Sequence, residues 1–156
     1  MSTLHRFQRE IVAALMSDDW LLERQCRAFA FEDPDLIRRV GEALATVNGV
    51  AIVVATPEDT GAGVRPDPAQ LEAEVRVEIS ITERPEAREE RAGASATSIA
   101  EHVAVLLDRP AIRYQGRRSS VDRQTGAVTV TITFNTDLAL RAEADTEPEN
   151  NTNNEV

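Results

Sequence analysis

The chain has 156 residues, enough for one domain with or without a tail. Its 17 basic residues are all arginine and stand against 27 acids, giving a formal net charge of −10. This balance argues against nucleic-acid binding through phosphates and against a polybasic membrane-surface protein, because both need clustered positive charge. No apolar run approaches the roughly 18 residues of a membrane-spanning helix. We therefore expect a soluble, acidic protein made in the cytoplasm.

The first third of the chain predicts two helices separated by a short strand. Apolar residues recur every three or four positions from Leu4 to Leu15, with Thr3 as the expected N-cap, followed by a helical turn at residues 20–22. Phe29 and Phe31 then alternate with alanines, as in a strand. Asp33-Pro34 predicts the start of the next helix, whose apolar stripe and left-handed end are Ile37, Val40, Leu44, Val47 and Gly49.

The middle of the chain predicts two strands with loops after each. Residues 50–55 are continuously apolar and β-branched, which favours a central strand buried on both faces. Residues 56–70 contain three prolines and two glycines, and we expect a loop there. Residues 75–82 alternate apolar and polar, typical of a strand with one buried face. Residues 83–91 form a dense mixed-charge loop.

The remainder predicts a third helix, a hairpin and a tail. Ser95 or Thr97 is the expected cap of a helix with the stripe Ile99, Val103 and Leu106 or Leu107. Residues 111–118 and 128–134 are expected to pair as strands. The fold class is therefore α+β, a mostly antiparallel sheet of about four to five strands with about three helices packed on one face. Residues 1–140 are predicted to form this single domain, and the acidic, asparagine-rich residues 141–156 a disordered tail.

The sequence lacks the residues that most catalytic and metal-binding motifs require, since it has two histidines, one cysteine and no lysine. The two histidines, His5 and His102, stand at the borders of apolar stripes and have no metal-ligand spacing. Cys26 has neither a second cysteine nor a nearby base and is interpreted as a small apolar residue. The glycines at 61–63 lack the rest of a dinucleotide-binding loop, and a phosphate loop at 92–98 would need a lysine. We predict no enzyme, no cofactor and no metal.

The mixed-charge loop is the candidate site for protein contacts. Residues 83–91 hold seven charged residues of both signs. Such a run usually stays in water, but arginine forks can also pair with the carboxylates of a neighbouring subunit. The candidate subunit-interface residues are Arg84, Glu86, Arg88, Glu89, Glu90 and Arg91.

The order of the elements resembles a family of phage neck proteins. The stretches that carry the resemblance are residues 4–20, 33–57, 75–83, and 93–107 with 128–134, which together span most of residues 4–138. They are similar to the tail terminator, or tail-completion, family of long-tailed phages and its Mu-like prophage relatives. The resemblance implies a virion protein of the head–tail neck that assembles in the host cytoplasm.

The resemblance also implies partners and a mode of assembly. It implies a homo-oligomeric ring, typically a hexamer, that caps the tail-tube protein, stops tube growth and joins the tube to the head–tail connector. An acidic lumen would let DNA pass without sticking and without sequence-specific binding. Two other classes stay open from the residues alone: an acidic adaptor or immunity-type binding module that docks a basic partner, and an enzyme with a small active site in the 56–70 loop.

Overall fold

The computed structural model describes residues 1–46, 49–63, 65, 67–84 and 95–142. The elements are, in order, α1 (Thr3–Met16), α2 (Asp19–Glu23), β1 (Arg27–Ala30), α3 (Leu36–Leu44), β2 (Val50–Gly61), β3 (Gln70–Glu83), α4 (Ala96–Leu107), β4 (Ile112–Val121) and β5 (Val128–Arg141). The five strands form one sheet in the order β1-β2-β3-β5-β4. Only the β1–β2 pair is parallel, and the other three pairs are antiparallel. The predicted α+β class is confirmed.

The main core lies between one face of the sheet and three helices. Side chains alternate between the two faces along each strand, and one set of β2, β3 and β5 residues packs against α1, α2 and α4. This core includes Leu15, Leu21, Ile79, Ile99 and Phe134, all fully buried. Burying a side chain of this size stabilises the fold by about 1.5–3 kcal/mol. This core therefore holds α1, α2 and α4 against the sheet. Among the described helices, none is long and apolar enough to cross a membrane.

The remaining helix, α3, packs on the opposite face of the sheet. There Ala43 contacts Phe29 and Ala51 in a separate small core. Strand β2 therefore carries apolar side chains on both faces, which confirms the prediction for residues 50–55. Farther along the same face no helix covers β3 and β5 among the described residues. Their hydroxyls pair across the strands instead, Ser80 with Thr131 at 3.2 Å and Thr82 with Thr129 at 3.0 Å.

Strand β2 extends well into the segment predicted as the 56–70 loop, and β3 begins at its last residue, Gln70. The register shifts between Ala55 and Glu58, so Pro57 occupies a β-bulge, where its missing N–H breaks no regular ladder bond. Pairing then continues from Glu58↔Arg76 to Gly61↔Ala73. The loop prediction is wrong for residues 56–61, because the bulge accommodates Pro57 without ending the strand.

The predicted helix starts were also partly wrong. Ser2 rather than Thr3 caps α1, and the first residue of α3 is Leu36, preceded by Asp35 with a φ of 58°. Ile37, expected on the buried stripe, is 89% exposed, while Ala43 is buried. Gly49 has the left-handed conformation that was predicted, with a φ of 54°, whereas Val47 lies outside the described residues. The Ser95 cap of α4 is confirmed.

At the C-terminal end, β5 reaches one residue into the segment predicted as a tail. Arg141 ends the strand, and its backbone N–H donates to Thr3 Oγ1 at 3.3 Å. Residues 143–156 lie outside the described residues, so the disorder of the tail stays a prediction.

Candidate functional site

The predicted interface residues lie in and beside the loop that joins β3 to α4. Of them, the structure describes Arg84, and the other five, Glu86, Arg88, Glu89, Glu90 and Arg91, lie outside the described residues. Arg84 is half-buried, its backbone N–H donates to Gly49 O at 2.9 Å, and its guanidinium donates to Thr46 O at 3.3 Å. These bonds join the start of the loop to the connection between α3 and β2, so Arg84 has a role within its own subunit. An additional role between subunits stays a prediction.

Both ends of this loop are held by a buried carboxylate. Glu83 is only 1% exposed, and its Oε2 accepts a hydrogen bond from Ala96 N at the start of α4, at 3.1 Å. Negative charge at this position also interacts favourably with the positive end of the helix dipole. Ser95 and Ser98 add a reciprocal capping box. Glu83 and Ala96, which flank the loop on its two sides, are therefore joined directly.

The edge strand β4 is an open feature that the sequence did not reveal. Among the residues that the structure describes it pairs with β5 alone, and the register shifts between Tyr114 and Gly116. Before this bulge, Asp108 Oδ1 accepts from Tyr114 N at 3.1 Å, and Arg109 forms a bridge with Ile112. After it, the outer edge of Gly116–Val121 is bonded to no described residue. Arg117 and Arg118 are exposed there and make no ion pair with any described residue.

An open pocket separates this edge strand from α4. Its volume is about 380 Å³, and it is lined by Ala100, Glu101, Ala104, Val105, Asp108, Tyr114, Arg117 and Ile132. Val105 is 81% exposed beside it. The Tyr114 ring packs edge-on against Phe134, with the ring centroids 5.7 Å apart. This side of the molecule therefore combines apolar surface, two arginines and a free strand edge.

Each of the two histidines forms a hydrogen bond with a carboxylate, His5 with Asp33 and His102 with Asp18. His102 Nε2 lies 2.8 Å from Asp18 Oδ1, and its ring stacks on Trp20 at 4.2 Å. Asp18 also accepts from Leu21 N as the cap of α2. Burial raises the pKa of Asp18, but these hydrogen bonds outweigh burial and leave the pKa lowered. His102 thus joins α4 to α2, as expected of a residue at the border of an apolar stripe.

Asp33 is the carboxylate partner of His5, and its contacts join three elements, α1, β1 and α3. Its carboxylate accepts from His5 (3.1 Å), Arg9 (2.8 Å) and the backbone N–H of Ala30 (3.1 Å), and Arg39 lies 3.7 Å away. This explains why Asp33 does not begin α3: its oxygens face α1 and β1 instead. Among the described residues, no group of three or more His, Cys, Asp or Glu side chains could hold a metal ion, and Cys26 is buried.

Asp33 should make stability depend on pH. Burial raises the pKa of its carboxyl, but the hydrogen bonds from His5, Ala30 and Arg9 and the charge of Arg9 leave the pKa lowered. A lowered folded-state pKa stabilises the protein above the unfolded value, and this contribution is lost as the pH falls through the folded value. Asp33→Asn should therefore cost about 1–2 kcal/mol at pH 7 and less at pH 2–3. Urea unfolding of both proteins from pH 7 to pH 2 measures this difference, and an equal loss at every pH would contradict it.

Comparison with known proteins identifies a fold relative. The structure is similar to a chain of the virion of a native gene transfer agent particle, with a TM-score of 0.53 and 12% identity over 85% of this chain and 92% of that chain. At this identity the likeness establishes the fold alone. No protein-family profile and no curated protein matches the sequence.

Two structures from Akkermansia muciniphila are more distant. One aligns over 93% of this chain and 79% of that chain at 12% identity, with a TM-score of 0.34. The other, of a protein without its transmembrane region, aligns over 90% and 86% at 11% identity, with a TM-score of 0.35. These scores are too low to support a conclusion about fold or function.

Proposed function

We propose that this chain is a structural virion protein without enzymatic activity, a tail terminator of the head–tail neck. In this proposal, copies form a homo-oligomeric ring, a hexamer, that caps the tail tube and joins it to the connector. The observation that carries the proposal is the fold shared with a virion chain across 85% of this chain and 92% of the other. Coverage of this extent makes the common unit the whole domain rather than a local motif.

The surface of the chain is consistent with a ring through which DNA passes. The net charge is −10, which disfavours adhesion to DNA phosphates. The sheet face not covered by helices carries paired hydroxyls of β3 and β5 at one end and mostly acidic side chains farther along β3, including Glu72, Glu74 and Glu78. The free edge of β4 and the apolar pocket beside it offer surface for protein contacts.

Deletion of the gene tests this function. Particles made without the chain should have tails of abnormal length and unjoined heads, because nothing would stop the tube or connect it, and DNA transfer should fall to background. Electron microscopy of purified particles measures both defects. Supplying the intact gene in trans should restore normal particles. Normal particles from the deletion strain, or a chain absent from purified particles, would refute the proposal, and a monomer bound to a basic partner would favour the adaptor class instead.

A further inference from the structure

The backbone of β4 alternates between groups that face β5 and groups that face outward. Asp122 N donates to Ala127 O on the β5 side of the hairpin. Inward and outward groups alternate along an antiparallel strand. Asp122 and every second residue before it therefore face β5, while Arg117, Ser119 and Val121 direct their N–H and C=O groups outward. No described residue bonds to these outward groups, and an open edge of this kind can accept a further strand.

The side chains of the outward-facing residues lie on the sheet face that α4 covers. Arg117 is opposite Ile132, a core residue of β5. The pocket between α4 and β4 begins at this point, with Ala100 and Ala104 of the helix and the ring of Tyr114 among its walls. Its volume of about 380 Å³ is within the range of pockets that bind small molecules. One large apolar side chain therefore fits beside the open edge.

The charge of this edge indicates what it binds. Arg117 lies at the pocket, and Arg118 lies on the helix-free face, opposite Thr131. Both are exposed, and neither makes an ion pair with any described residue. Two copies of this edge placed side by side would bring four arginines together, and their repulsion opposes such pairing. The charge therefore favours an acidic segment of a different protein over a second copy of this edge.

We propose that the β4 edge binds an extended, acidic segment of a different protein, which adds a strand at Gly116–Val121 and inserts one large apolar side chain into the pocket beside α4. The residue opposite Arg117 supplies that side chain, because directly paired residues point to the same face of a sheet. Its neighbours in the segment point to the other face, where a carboxylate reaches Arg118. The recognised pattern is acidic–apolar–acidic. This inference goes beyond the proposed function and does not depend on it.

The pocket supplies a specificity that the edge alone lacks. Three outward-facing residues offer few backbone hydrogen bonds, and any extended chain can form them. A large side chain buried in a pocket usually contributes most of the binding energy. Val105, 81% exposed at the rim, adds apolar surface around it. Segments that lack an apolar residue between acidic ones should therefore bind poorly.

A synthetic peptide tests the recognised pattern. The probe is a capped nine-residue peptide that alternates apolar residues with glutamate, with phenylalanine at its centre and valine at the other apolar positions. Calorimetric titration of the full chain should show binding. Replacing every glutamate with lysine, or the phenylalanine with alanine, should each weaken binding by about tenfold or more. Equal binding of the glutamate and lysine peptides, or no binding of the glutamate peptide at its highest soluble concentration, would overturn the inference.

Charge-reversed variants of the chain locate the site. R117E/R118E should bind the glutamate peptide about tenfold more weakly or less, because both arginines then repel it. R6E/R65E is the matched control, since it makes the same charge change at two exposed arginines on α1 and in the β2–β3 connection. This control should bind as the parent chain does. An equal loss in both variants would show a general effect of charge and would overturn the inference.

Amide hydrogen exchange measured by NMR distinguishes strand addition from loose charge attraction. With the peptide bound, exchange should slow at Arg117, Ser119 and Val121, and it should not change at Arg118 and Ser120, whose N–H groups face β5. Uniform slowing, or none at the three outward amides, would overturn the inference even if the peptide binds. Slow exchange at those amides in the chain alone would show that the edge is already occupied and would also overturn it. The gene deletion described above tests the virion role separately, so either proposal can fail without the other.

Discussion

Replacing Glu83 with alanine is expected to lower the free energy of unfolding by about 2–3 kcal/mol, since a buried hydrogen bond to a charged group is lost and the buried N–H of Ala96 loses its acceptor. The favourable interaction with the α4 dipole is lost as well. Because Glu83 holds both ends of the charged loop together, the first turn of α4 should also become less protected. Urea unfolding gives the free energy, and amide hydrogen exchange at residues 96–99 gives the local effect.

Two further variants distinguish loss of the hydrogen bond to Ala96 N from loss of one negative charge on the strand. Glu83→Gln keeps an acceptor and the side-chain shape and should lose less than Glu83→Ala. Glu74→Ala removes an exposed carboxylate from the same strand and should change stability by less than about 0.5 kcal/mol. If Glu83→Ala proved as stable as Glu74→Ala, the carboxylate would not anchor the loop.

Truncating Phe134 should have the largest effect of any single core change. Its side chain is fully buried between β5 and the helical layer, and it contacts the Tyr114 ring edge-on. Phe134→Ala should destabilise the fold by about 3–5 kcal/mol, from the lost transfer energy and the cavity that remains. Thermal and urea unfolding monitored by circular dichroism measure this loss.

Ile37 provides the matched comparison for Phe134. It is equally apolar and was expected on the buried stripe of its helix, yet it is 89% exposed. Ile37→Ala should therefore change stability by less than about 0.5 kcal/mol. A large loss at Ile37, or a small one at Phe134, would contradict the packing described above.

The sequence predicted those elements whose pattern is strictly periodic. Strand β3 alternates without interruption, and α1 and α4 repeat apolar residues every three or four positions, so their positions follow from local pattern alone. The local pattern gave the wrong helix start where a polar side chain could bind either its own helix or a distant segment. Asp33 and Pro34 predicted a helix start, but the Asp33 carboxylate is bound by Arg9, His5 and the β1 backbone instead.

The open edge of β4 could not have been predicted from the sequence. Which strand lies last in a sheet depends on pairing between distant segments, and here β5 inserts between β3 and β4. The adjacent arginines 117 and 118 offered one signal, since charged residues are common on edge strands. The sequence indicates the mixed-charge loop instead, because charges are dense there. Its role between subunits stays a prediction that charge reversal at Arg88 and Arg91 tests.

The turn at Asp108–Ile112 closes the first part of the β4 edge, and this limits how long an added strand can be. With Tyr114 N already bonded to Asp108, a neighbour can occupy only the short stretch after the bulge. An added strand would therefore gain few backbone hydrogen bonds at this edge, which keeps uncontrolled edge-to-edge association weak.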